Sequence, residues 1–205
     1  RRQRQMCIRD REKRICIERN DAMQSALYMG CLTIDRKHPD FLKLRVMMTL
    51  FGGYFGSRLM NNIREEKGYT YGIGAGIASY PEHGMMIIST QAGNQYIEPI
   101  IQEVYHEMER LQNEPVSEEE LTMVKNYMMG ETCRNYEGPF SLADAYIYLQ
   151  SSGLEENFLV QSQQAIKETT ASDIQRLART YLVKEQMKEI IAGKICLLYT
   201  SDAAD

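Results

Sequence analysis

Apolar residues recur at Ile97, Ile100, Ile101, Val104, Met108 and Leu111, every third or fourth position, with polar residues between them. That period lays them on one stripe and predicts a long amphipathic helix, with Asn94 as its N-cap and Asn113, Glu114 and Pro115 as its stop. Ser117 followed three positions later by Glu120 has the form of a capping box, and Val116 and Leu121 stand where a hydrophobic staple would. A second helix therefore runs to about Tyr136 and breaks at Gly138 and Pro139. Residues 141–152, 158–167 and 172–181 read as three more helices. The first of these has Ala145, Tyr146 and Leu149 on its inner side and Gly153 as its stop, and the last has Thr170 or Ser172 as its cap.

The first half of the chain has a different texture. Residues 14–35 alternate only loosely, and their second half, 24–34, reads as a strand buried on one or both faces. His38 and Pro39 then open a helix whose FLKLRVMMTLF run is apolar round most of its circumference, which predicts a central position, and Gly52 and Gly53 stop it. A further helix over 57–67 puts Leu59, Ile63 and Met60 inside and leaves Arg58, Asn61, Asn62, Glu65 and Glu66 more exposed. Gly68 is its natural left-handed stop.

Residues 69–80 form the next strand. Its pleat sends Tyr69, Tyr71, Ile73, Ala75 and Ile77 one way and Thr70, Gly72, Gly74, Gly76 and Ala78 the other, so one face is nearly bare backbone. Alternate glycines weaken a strand unless another backbone, a packed helix or a bound peptide comes close, and a packed helix is the plainer reading. They are no dinucleotide fingerprint, since they open no helix. A turn at 80–84 leads to a second strand, MMIISTQA, completing a hairpin, and a short strand around 189–192 closes the fold. Strands, then many helices, then a strand predict an α+β, two-layer fold: a largely antiparallel sheet covered on one face by helices.

Composition changes this picture at the ends. Of the 205 residues, 43% are hydrophobic, enough for one substantial core, and no stretch approaches the roughly 20 apolar residues of a membrane span. Residues 1–11 and 196–205 resemble translated adapter sequence, which leaves 12–195 as the domain. Setting both ends aside removes five arginines and three aspartates, leaving 19 basic and 25 acidic residues. The basic first end is then no evidence for a nucleic-acid partner. Cysteines 16, 31 and 133 remain, an odd number without Cys-x-x-Cys spacing, so neither a zinc ribbon nor a disulfide framework is indicated. Compartment is left open.

Self-sufficient catalysis finds no support. His38, His83 and His106 lie far apart, and His106 in HEMER has Arg110 where a second zinc-binding histidine would have to be. No metal site is expected here. There is no G-x-S-x-G elbow or phosphate-binding loop. What remains is Arg64 near the end of its helix and Tyr71 at the start of the strand, a permanent cation and a phenol donor whose tips can converge. Such a pair suits a carbonyl or a developing oxyanion; equally, it suits a helix-terminal charge and a half-buried packing residue.

The stretch SRLMNNIREEKGYTYGIGA resembles the signature of the C-terminal, non-zinc half of the insulinase- and pitrilysin-like M16 peptidases, which include the mitochondrial processing peptidases. Arg64, Gly68 and Tyr71 match the Arg-x-x-x-Gly-x-x-Tyr spacing of that half. The order of elements from about 14 to 195 follows the family, but its His-x-x-Glu-His zinc motif is absent. The resemblance implies a clamshell enzyme in which a zinc-bearing half, in the same polypeptide or on a second chain, encloses an extended peptide with this domain. Zinc would belong to that partner. Tyr71 would be the catalytic donor to the scissile carbonyl, and Arg64 with Tyr71 would bind substrate. Some relatives of this kind are noncatalytic scaffolds, which is the alternative.

Overall fold

In the computed structural model, residues 13–80 and 83–194 are described. Both adapter-like ends lie outside these residues. Five strands, β1 (Arg14–Glu18), β2 (Gln24–Thr33), β3 (Thr70–Ser79), β4 (Gly84–Gly93) and β5 (Lys188–Gly193), form one sheet in the order β1-β5-β2-β4-β3. The β1–β5 pair is parallel and the rest are antiparallel. The expected two-layer α+β architecture is present. One strand, β1, had no clear signal, because its pairing partner β5 arrives only at the other end of the chain.

The helices are α1 (Phe41–Met48), α2 (Ile97–Asn113), α3 (Glu118–Asn135), α4 (Pro139–Ser151), α5 (Phe158–Glu168) and α6 (Ala171–Tyr181). Their apolar stripes meet alternate residues of the sheet, Leu27 and Met29 from β2, Met86 and Ile88 from β4 and Ile191 from β5, in one core. As its all-round hydrophobicity predicts, α1 is central. It continues into a wider π-helical turn, Thr49–Gly53, and the two segments bury Leu44, Met47, Leu50 and Phe51 completely or nearly so. Each such side chain contributes about 1.5–3 kcal/mol by leaving water. On the opposite face of the sheet Ile15, Ile17, Tyr28, Leu32 and Ile190 are exposed, with no helix over them among the described residues.

Three local expectations are corrected. Asn94 does not cap α2: it opens a short 3-10 turn, and its side chain instead accepts from Ser25 Oγ at 2.6 Å and donates to the Ala22 carbonyl, tying the helix entrance to the β2 end of the sheet. At α3 only half of the capping box forms. Ser117 accepts from the Glu120 N–H at 3.1 Å, but the Glu120 carboxylate is taken by a two-pronged contact with Arg58. In α4 only Leu149 is buried, and Tyr146 is exposed instead of lying inside. The full box appears at α6, where Thr170 and Asp173 cap each other's backbone as their spacing suggests.

Candidate functional site

A second π-helix, Met60–Glu66, carries Arg64. Leu59 and Ile63 anchor it in the core, and the wide turn is closed by the Lys67 N–H bonding five residues back to the Asn62 carbonyl at 3.1 Å. The extra residue per turn changes which side chains face inward, a common device at functional sites. Asn62, expected to be exposed, is buried. Its amide donates to Glu107 Oε1 at 2.7 Å and to Glu103 at 3.1 Å, and Glu107, only 1% exposed, also accepts from Arg110. This buried Asn62–Glu107 contact clamps the π-helix onto α2. Gly68 then reverses the chain with φ +64°, the left-handed conformation anticipated for it.

Beyond Gly68 the pleat is broken. Thr70 pairs with Ala92 but Ile73 pairs with Thr90, so three steps along β3 match two along β4. One residue is bulged. The bulge is pinned by two hydroxyls: Thr90 donates to the Gly72 carbonyl at 2.8 Å, while Thr70 donates to the Gln91 carbonyl at 2.7 Å and accepts from the Gly72 N–H. Neither threonine stood out in the sequence, because their role needs the cross-strand register. The consequence corrects the predicted faces. Ile73 is buried at 4% exposure, Tyr69 stacks on Tyr96, and Tyr71, placed with them by simple alternation, is 91% exposed. Bulges commonly re-aim a side chain in this way.

Tyr71 stands at the rim of a hollow of about 330 Å³ shared with Gln24, Tyr28 and Gln91, and its phenol has no hydrogen-bond partner among the described residues. Arg64 stacks over the Phe55 ring, 4.6 Å from its centroid, and pairs with Glu65 at 2.6 Å. No hydrogen bond joins Arg64 to Tyr71 among the described residues. The Arg64–Glu65 pair is a surface contact of small energetic value, easily exchanged for another anion or carbonyl. Nearby, a hydrogen bond donated by Lys67 to the Glu103 carboxylate raises the lysine's pKa above its usual value.

The strand glycines do not serve helix packing. A Cβ on Gly72 or Gly76 would meet nothing, and on Gly74 only the Gly52 carbonyl at 3.9 Å. The crowded residue is Gly52 itself, whose Cβ would lie 2.5 Å from Ala75 Cβ. The close approach therefore comes from the first π-helical turn, and the glycines of β3 are left bare.

The donor set does not fit a metal. His38 Nδ1 accepts from the Asp40 N–H, His83 stacks on Tyr80, and His106 is exposed on α2. Among the described residues no group of three His, Cys, Asp or Glu side chains could hold one, and no helix is long and apolar enough to cross a membrane.

Comparison with known proteins places this geometry. Residues 3–128 match the family model described as the peptidase M16 inactive domain. The chain is 24% identical over 119 residues to the uncharacterized zinc protease YmxG of Bacillus subtilis, covering 58% of this chain and 29% of that protein. It is 23% identical over 175 residues to the probable inactive metalloprotease YmfF of the same organism, covering 82% and 40%. The chain thus spans well under half the length of these relatives. Its fold is that of the peptidase M16 inactive domain from Pseudomonas fluorescens, with a TM-score of 0.81 at 22% identity over 89% of this chain and 43% of that one. The chain belongs to the M16 peptidase family, as one of its inactive domains.

Proposed function

We propose that this chain is the substrate-gripping half of a zinc-dependent M16 endopeptidase, completed by a zinc-bearing half in the same polypeptide or on a second chain. The observation that carries this reading is Tyr71, a phenol turned out of the core by a pinned bulge and without a hydrogen-bond partner among the described residues. Metal and attacking water belong to the other half. What this chain contributes is a neutral donor: Tyr71 O–H bonds the scissile carbonyl and bonds it more strongly as negative charge develops on that oxygen. Arg64, held by the surface carboxylate of Glu65 and the Phe55 ring, swings to orient Tyr71 or to bind the peptide backbone. The substrate is an extended peptide.

With a zinc-bearing half supplied, Tyr71→Phe lowers peptide turnover by roughly 10²-fold, the usual cost of losing an oxyanion donor, while the melting temperature stays put. Equal turnover by the variant refutes the role. A second reading, a noncatalytic peptide-binding or scaffold subunit, draws on the likeness to YmfF, which is described as probably inactive. It predicts no cleavage with any zinc-bearing half and no effect of Tyr71→Phe.

A further inference from the structure

A cavity of about 480 Å³ opens between α1, α3, α4, α5 and the far end of β3, well away from Tyr71. Its floor is apolar, made by Phe41, Ile77 and Phe158, while Arg36 and Arg45 stand in its wall. Arg14, Arg58, Arg64, Arg110, Arg134 and Arg176 each meet a carboxylate. Arg19, Arg36, Arg45 and Arg179 do not, among the described residues, and of these Arg36 and Arg45 line this cavity. Arg36 is used internally: it donates to the Ser79 hydroxyl and carbonyl and to Ser152, and it lies over the Tyr148 ring. Arg45 is different. Among the described residues its side chain makes one hydrogen bond, a long one of 3.4 Å to Ser162 Oγ, and it is the exposed residue of a helix that is otherwise mostly buried. The one acid in the wall, Glu131, has Arg134 at 3.9 Å. An apolar floor beneath a guanidinium that meets no carboxylate among the described residues fits a ligand with an apolar group beside a carboxylate.

The cavity is also connected to the strand that carries Tyr71. A shallow hollow along the edge of β3, over Gly52, Gly74, Ala75 and Gly76, shares Gly53 and Ile77 with the cavity. The Ile73 N–H points off the sheet to Met60 Sδ at 3.4 Å, and at Ala75 the edge is met by Gly52, whose Cβ would lie 2.9 Å from the Ala75 nitrogen, so the hollow runs beside the strand over these small residues. No charge or proline guards this stretch. From Tyr71 to Ile77 is about 20 Å of extended chain, at about 3.3 Å per residue.

We infer that this cavity is a binding site for the C-terminal residue of a peptide, its apolar side chain on the Phe41–Ile77–Phe158 floor and its α-carboxylate on Arg45. The peptide's preceding residues lie extended in the hollow over Gly52, Gly74 and Gly76. The choice of a peptide as ligand rests on the proposed function, but the site can be tested without turnover. An N-terminally labelled octapeptide ending in free-acid leucine is titrated against this chain by fluorescence anisotropy, beside the same peptide amidated at its C-terminus. Amidation weakens binding at least about tenfold, as loss of a charge-assisted contact should. Arg45→Gln does the same for the acid peptide and abolishes the acid-over-amide preference, and Arg45→Lys restores part of it. Should Arg45→Gln fail to fold, amidation and Arg45→Lys still decide. Equal binding of acid and amide overturns the site, and so does failure of the acid peptide to bind. Because no zinc-bearing half is present, failure here leaves the Tyr71 reading untouched.

Discussion

At the β1 edge of the sheet, Arg14 reaches both Glu98 and Glu189, Tyr105 donates to the other Glu189 oxygen, and Lys13 and Lys184 both stand over the Tyr105 ring. Burial, and then the bond to Glu189, push the Tyr105 phenol well above its usual pKa. At the β3 edge there is no such network. A bulge, two π-helical turns, bare glycines and a single N–H to sulfur contact take its place. Alternation runs unbroken through the β1–β5 pairing and fails where β3 leaves Gly68. One edge is tied down by a network of charged side chains, and the other presents an exposed phenol beside small residues. Under the proposed function, stability and substrate contact lie at opposite edges of one sheet.

The contrast is most exposed to refutation at Glu189. This carboxylate is 3% exposed and accepts from both Arg14 and Tyr105, so Glu189→Ala, which removes both charge-assisted bonds, should cost about 1.5–3 kcal/mol in urea unfolding. A loss below 1 kcal/mol would mean that the β1 edge is no anchor. At the β3 edge, Gly52→Ala forces a methyl toward Ala75 and should destabilise by about 1–3 kcal/mol, whereas Gly76→Ala has open space and should be neutral or raise stability by about 0.4–1 kcal/mol. Equal effects of the two would show that the strand glycines are held by packing after all.

Smaller effects sharpen the picture. Burial, aided by a bond to Asp40, raises the Tyr181 pKa to about 12 from 10.0. The folded state then holds this proton more tightly than the unfolded one, so its contribution is complete below pH 10 and is lost as pH rises through 12. Tyr181→Phe should flatten that part of a stability profile. In the other direction, Arg176 foremost holds Asp40 below the ordinary carboxylate range, so its contribution is present at neutral pH and lost on acidification. Last, burial lifts the Cys31 thiol to about 11, whereas Cys16 and Cys133 are exposed. At pH 8 a maleimide should label Cys16 and Cys133 and spare Cys31, as peptide mapping would read out.

Periodicity alone determined much of this protein. The stripe from Ile97 to Leu111, the apolar run of α1, the stops at Gly68 and Gly153 and the Thr170 cap are local signals, and they appear in the fold because helix phase and left-handed turns are set within a few residues. The residues Arg64 and Tyr71 were legible as candidates from their spacing around Gly68. How they are presented was not. Tyr71 faces outward because Thr70 and Thr90 hold a bulge across two strands, and Asn62 turns inward because a π-helix meets Glu107 on a helix some 45 positions away. Strand β1, likewise, exists through β5, and the cavity beside Arg45 through four helices. Each of these depends on contacts between distant parts of the chain, which no local period encodes and only the packed tertiary structure supplies.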